Sequence, residues 1–334
     1  QTESIVDPDF ERLATRMLNF MQQRTIGSTS DLFSHGPKPL DRTLEHPGDP
    51  GLIGPGSVSW RVIGDVAVFV GGIRALLVQT AMPEVVAGVD QHSRYREDPL
   101  GRLSRTAHYV TSTTFGALPE VEEAVAMVRG AHSGVNGKSE RKQSYRAADP
   151  VLAAWVHNAL TESFLSAYQH YGPQPLSVRE ADAFVEEQSR VGELLGAKPL
   201  PTTAGDLFEW VDQHPGIERS GAQDRALRFL RRPPLPVPVR LPYVVLFNAA
   251  ASTVSPNVRA TMNTKTPPSS ERVGGFAVSL LRWALGSSPS WHLALVRCGE
   301  PIPDGLFKQP LPDGVRTDPE GNYTSRPTRE RESG

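Results

Sequence analysis

The stretch LPEVEEAVAMVRGAHSGV, residues 118 to 135, decides how the chain is read. Pro119 falls in a first helical turn, where its missing N–H is no loss. Apolar side chains recur at Val121, Val125, Val128 and Val135, in steps of three, four and seven that trace one helix face. His132 completes the series. A neutral imidazole on a buried stripe needs one donor and one acceptor partner, and stranding either costs about 1 to 3 kcal/mol. Two readings stay open. His132 is a core histidine satisfied by a carbonyl or a neighbouring side chain, or it is the ligand of a metal or haem iron, for which an imidazole on a rigid helix is the usual proximal donor. Arg129, one turn earlier, either faces water or stands where a guanidinium pairs with a haem propionate.

Helix starts of the same kind recur along the chain. DPLGRLSRT at 98, DPVLAAW at 149 and SVREADAF at 177 each place a capping side chain before a proline or an acidic first turn. Gly64 to Asp90 reads as helix, kinked or restarted at Pro83. Apolar segments at about 243–253 and 272–285 follow a proline-stiffened connector, RRPPLPVPVRLP, at 231–242. Alternating strand patterns are scarce, so the fold class is all-α. Residues 1–60 read as one amphipathic helix, at about 8–24, and an irregular arm rich in Gly and Pro. Residues 61–311 form a single large helical domain, and 312–334 hold too few apolar residues to order themselves, which makes them a disordered tail.

Composition narrows the function classes. The 35 Lys and Arg against 37 Asp and Glu leave no net field to draw the chain to a phosphate backbone or an anionic membrane, so nucleic acid is not the expected partner. One cysteine, Cys298, excludes an intramolecular disulfide and a CxxC site. That fits a reducing compartment, and the chain is read as cytoplasmic; a leader removed upstream of Gln1 stays open. The longest apolar runs fall short of the ~20 residues that span a bilayer.

A second constellation lies in DPLGRLSRTAHYV. On a helix begun at Asp98 and Pro99, Arg102, Arg105, Thr106 and Tyr109 share a face beside the apolar stripe of Leu103, Ala107 and Val110. That face is either solvated, or it looks into a cavity and suits a carboxylate or partly reduced dioxygen. His108 points elsewhere and reads as a surface residue. His157, in DPVLAAWVHNALTESF near Trp155, is a hydrogen-bonded structural histidine or a reserve axial ligand. Cys298, in LVRCGEP, lacks the Phe and Gly spacing of a thiolate haem loop.

Taken in order, GGIRALLVQTAMPEVVAGV, DPLGRLSRT, RGAHSGVNG, YRAADPVLAAWVHNALTESF and RVGELLGAKPLP resemble the MpaB-type oxygenases, whose best-known members are the latex clearing proteins that cleave rubber. The likeness runs from about 64 to 200, with a weaker echo at RLPYVVLFNAAA. It implies a globin-reminiscent helical core around a pocket for noncovalent haem b, and oxidation of hydrophobic, often isoprenoid, substrates with dioxygen. The absence of CxxCH agrees with noncovalent haem. By this resemblance His132 corresponds to the proximal ligand, and Arg102 and Thr106 to pocket positions of the latex clearing proteins. Arg105 departs from them. A lysine stands there in those enzymes, and a longer, forked, permanently charged arginine is ill suited to coordinate iron. Their upstream glutamate has a neighbour here in Glu84, without a secure register.

The expected function is therefore a haem b-dependent oxygenase, with His132 as proximal ligand and Arg102, Arg105 and Thr106 on the distal side. Its partners are dioxygen and a hydrophobic small molecule, isoprenoid or fatty. Three other classes remain: a haem carrier or sensor with bis-histidine ligation by His132 and His157, a haem peroxidase, and a cofactor-free helical binding protein.

Overall fold

Proline in the first turn opens seven of the thirteen α-helices among the described residues, the signal by which the sequence announced several of them. The structure, a computed structural model, describes residues 39–309, 315–317 and 323–325. In chain order the helices are α1 (Val58–Gly64), α2 (Val68–Gln79), α3 (Pro83–His92), α4 (Pro99–Phe115), α5 (Leu118–His132), α6 (Pro150–Tyr171), α7 (Val178–Leu194), α8 (Ala204–Asp212), α9 (Gly221–Arg231), α10 (Val237–Ser252), α11 (Pro256–Met262), α12 (Ser270–Leu285) and α13 (Pro289–Cys298). Two antiparallel strand pairs accompany them: β1 (Asn136–Lys138) with β2 (Ser144–Arg146), and β3 (Val315–Thr317) with β4 (Tyr323–Ser325). The fold is all-α, as the periodicity predicts.

The axis of the molecule is α6. Asp149 caps it by accepting the Val151 N–H at 2.9 Å, and its side chains from Ala154 to Tyr168 are buried almost all round. Helix α2 lies along it with very close approach. A Cβ on Gly71 would stand 2.7 Å from Phe164 Cδ1 and 3.1 Å from its Cα, so only glycine fits. At the same contact Arg74 reaches Glu162 with both guanidinium arms, one at 2.7 Å, and also holds the Ser163 hydroxyl at 2.9 Å and the Thr253 carbonyl at 3.0 Å. Helices α10 and α12 cover this layer, and α7, α8 and α1 close the other side. Trp60 joins α1 to α4, donating its indole N–H to the Thr114 carbonyl at 2.8 Å and meeting Phe115 edge-on.

Three expectations change. The segment from Gly64 to Asp90 restarts at Pro83 as expected, but Gly64 belongs to the preceding α1 and α2 begins only at Val68. Asp65 accepts the Ala67 N–H at 2.8 Å and is clasped by Arg282, which stops α1 and turns the chain by 90° into α2. The connector at 231–242 ends early, because Pro236 and Val237 begin α10 and prolines in a first turn need no N–H acceptor; Pro242 stays inside the helix. The tail from 312 is paired at β3 and β4, while its other residues and the helix expected at about 8–24 lie outside the described residues.

Candidate functional site

Helices α4 and α5 form an antiparallel hairpin turning at Gly116 and Ala117, so the start of α4 and the end of α5 lie at the same end of it. Asp98 starts α4 by accepting the Gly101 N–H at 2.9 Å, and Glu120 accepts the Ala117 N–H at 3.0 Å to start α5. Between the helices Tyr109, Val121, Ala124, Val125 and Val191 of α7 form a separate small core. The stripe expected on α5 is real through Val125, but it surfaces as the helix outruns this core. Val128 is half-buried and His132, the last residue of α5, is exposed rather than buried.

Water reaches the His132 ring, although the protein around it lowers its pKa by desolvation. The ring makes no hydrogen bond among the described residues. Its lowered pKa favours the neutral imidazole, the form that ligates metals. A Cβ on Gly130 or Gly134 would meet nothing within 4 Å, so neither glycine is required there by close packing.

Facing the same end, Arg102 of α4 lies with its guanidinium carbon 5.8 Å from the centre of the Tyr95 ring. No carboxylate of the described residues pairs with it, and burial lowers its pKa despite the favourable Tyr95. One helical repeat along, the Tyr109 hydroxyl is buried without a partner, and burial raises its pKa. The sequence set His108 aside as a surface residue; it is half-buried, with a buried and unpartnered Nδ1. Helix α4 thus carries a guanidinium without a carboxylate partner and two buried polar atoms without a hydrogen bond among the described residues. Thr106 is exposed and donates to the Arg102 carbonyl at 3.1 Å, while Arg105 is exposed and pairs with the cap carboxylate of Asp98 at 3.3 Å. Leu103 on α4 and Met127 on α5 expose apolar side chains.

The other candidates are held elsewhere. Arg129 donates to the Leu194 carbonyl and so ties α5 to the end of α7. His157 is buried in α6, its pKa pushed down to about 4 by burial although a backbone carbonyl of Gln188 opposes the shift. Its Nε2 lies 3.4 Å from the Thr161 hydroxyl, and the ring packs so tightly on α7 that a Cβ on Gly192 would stand 2.9 Å from Nε2. Glu84 is buried on α3. Burial alone would raise its pKa, but hydrogen bonds from Arg141 and Ser139 overcome that and hold it low. It is a committed carboxylate, with no proton-accepting role left open. Cys298 is half-buried, burial raises its pKa, and its thiol donates to the Asp49 carbonyl at 3.4 Å.

The chain beyond His132 is fixed as firmly as the helix before it. The β1–β2 hairpin docks on α3 through Gln91 to the Lys138 carbonyl at 3.1 Å, His92 to the Asn136 carbonyl at 2.9 Å, and the Tyr145 hydroxyl to Gln91 at 2.8 Å. Arg141 and Ser139 bind Glu84 from the same hairpin.

His132 offers an imidazole without a hydrogen-bond partner among the described residues, the single protein donor that a haem would need. Among the described residues no three His, Cys, Asp or Glu cluster as a cage for a bare ion.

Residues 60–285 match the family described as the ER-bound oxygenase mpaB/B'/rubber oxygenase catalytic domain. That is more than half of the chain, which therefore belongs to this family of oxygenases. No curated protein and no solved structure matches it. The family's chemistry makes a small molecule and oxygen the reactants. Among the described residues no single helix is long and apolar enough to cross a membrane; the bent pair α1–α2 passes on length and composition, and much of it lies in the core.

Proposed function

We propose that the chain is a haem b-dependent oxygenase acting with dioxygen on a hydrophobic small molecule, isoprenoid or fatty in character. The observation that carries this reading, beside the family match, is the His132 ring, which stands at the end of a helix without a hydrogen-bond partner among the described residues. Haem, when bound, supplies the iron at which dioxygen is activated. His132 holds it from one side and Arg129, anchored on Leu194, steadies the helix that carries the ring. Arg102 brings a desolvated positive charge to the same end of the hairpin, where it favours developing negative charge or a substrate carboxylate. Thr106 keeps hydroxyl lone pairs free to accept, and Arg105, shared with Asp98, adds a weaker, solvated charge. Leu103 and Met127 offer the apolar surface that a macrocycle or a hydrocarbon substrate covers.

The same geometry disfavours bis-histidine ligation, since His157 would have to leave its hydrogen bonds and its seat against Gly192. A peroxidase is separated from an oxygenase by its oxidant. The test is a hemin titration followed by the Soret band, oxidised and reduced, with and without carbon monoxide. Wild type is expected to bind one haem with an open sixth position. His132→Ala should lose or strongly shift the band, and Arg102→Gln should keep it while losing dioxygen-dependent turnover. An unaltered band in His132→Ala, or turnover with hydrogen peroxide alone, refutes the proposal.

A further inference from the structure

On the far side of the core, α10 and α12 pack together and leave an apolar face uncovered by any described residue. Helix α12 exposes Val273, Phe276, Leu280 and Trp283 at steps of three, four and three, a single stripe, with Phe276 at 73% exposure. On α10, packed beside α12, Leu241 and Val244 are exposed as well. Soluble surfaces rarely leave large apolar side chains aligned in this way without a partner.

Val244 also lines a cleft of about 510 Å³ whose charged residues are all cationic: Arg231, Arg232 and Lys265, beside the amides of Asn248 and Asn263. A second cleft shares Arg231 and Asn263 and adds Arg219 and Arg228; its one carboxylate, Asp224, is already held by Arg219 at 3.1 Å. No carboxylate of the described residues pairs with Arg228, Arg231, Arg232 or Lys265. The sequence as a whole carries a net charge of −2, so this concentration of unpaired cations is local. An apolar stripe bearing Trp and Phe, bordered by Arg and Lys, is the pattern of a surface that lies in a bilayer interface. A second copy of the chain would bring the same cations against themselves.

We infer that the α10–α12 face docks on a membrane surface rich in anionic phospholipid, with Phe276, Leu280 and Trp283 among the acyl chains and lipid phosphates in the Arg231, Arg232 and Lys265 cleft. The inference stands apart from the haem reading, and His132→Ala should bind vesicles as wild type does. The experiment floats the full chain with vesicles of phosphatidylcholine alone and with added phosphatidylglycerol, at low and high salt. Wild type is expected to float with the anionic vesicles only, and less in high salt. Phe276→Ser/Leu280→Ser should stay at the bottom of the gradient while keeping the helical circular dichroism of wild type. Each neutralised cation among Arg231→Gln, Arg232→Gln and Lys265→Gln should weaken partitioning about fivefold. The inference is overturned if wild type floats with neither composition, if Phe276→Ser/Leu280→Ser floats equally well, or if sedimentation shows a dimer that this double variant dissociates.

Discussion

Replacing Arg74 by Met tests the buried contact on which the α2–α6 layer turns. Arg74 and Glu162 are each 1% exposed, and the guanidinium is the donor for both carboxylate oxygens, for Ser163 and for the Thr253 carbonyl. Breaking a buried pair from one side leaves an uncompensated charge and costs about 3 to 5 kcal/mol. The methionine stem fills much of the vacated volume, so the cavity adds little. The expected loss is about 4 kcal/mol, a large share of the roughly 5 to 15 kcal/mol that holds a domain together. Arg74→Met/Glu162→Leu removes both charges and should recover most of this, ending about 1 to 2 kcal/mol below wild type. Urea unfolding of the haem-free chain, followed by far-ultraviolet circular dichroism, gives all four corners of the cycle. A single variant within about 1 kcal/mol of wild type, or a double variant equal to the sum of the singles, refutes the reasoning.

Other expectations follow from the same coordinates. His157 titrates at about 4 when folded against 6.5 when not, so the unfolded chain binds the extra proton and stability falls as pH drops between those values. The loss is about 3 kcal/mol at completion, and it should be absent from the unfolding curves of His157→Gln across that window. Tyr109→Phe removes a stranded hydroxyl, so the haem-free chain should gain about 1 kcal/mol by thermal unfolding, a gain that disappears once hemin is added if the hydroxyl meets the bound group. Gly71→Ala forces a Cβ against Phe164 and should cost about 1 to 3 kcal/mol in the same assay; an unchanged midpoint would show that α2 can shift away. His132→Ala, at an exposed helix end, should change haem-free stability by less than about 0.5 kcal/mol, so that its loss of the Soret band reads as ligation and not unfolding.

Local signals in the sequence carry most of the helix starts, because capping side chains and first-turn prolines act over three or four residues and need no tertiary context. Asp98, Asp149 and Ser177 all cap as expected. The break at Asp65 was illegible for the opposite reason: the residue that fixes it, Arg282, is more than two hundred positions away. Periodicity put His132 on a buried stripe, but a stripe is buried only while a neighbouring helix lies beside it, and by residue 132 the side chains of α5 are exposed. Tyr109 was visible as a member of the Arg102 face, whereas its stranded hydroxyl depends on what α5 and α7 fail to offer. Glu84 stood in the sequence as a neighbour of a catalytic position; Arg141 and Ser139 make it a tie instead.

That tie has a consequence for the imidazole. His132 and Ser139 stand seven positions apart, and Glu84 grips the far end of that span while Arg129 grips the near end through Leu194. The ring thus hangs from two moorings, and slackening the distant one, by Glu84→Gln for instance, would let it swing without touching a single atom beside it.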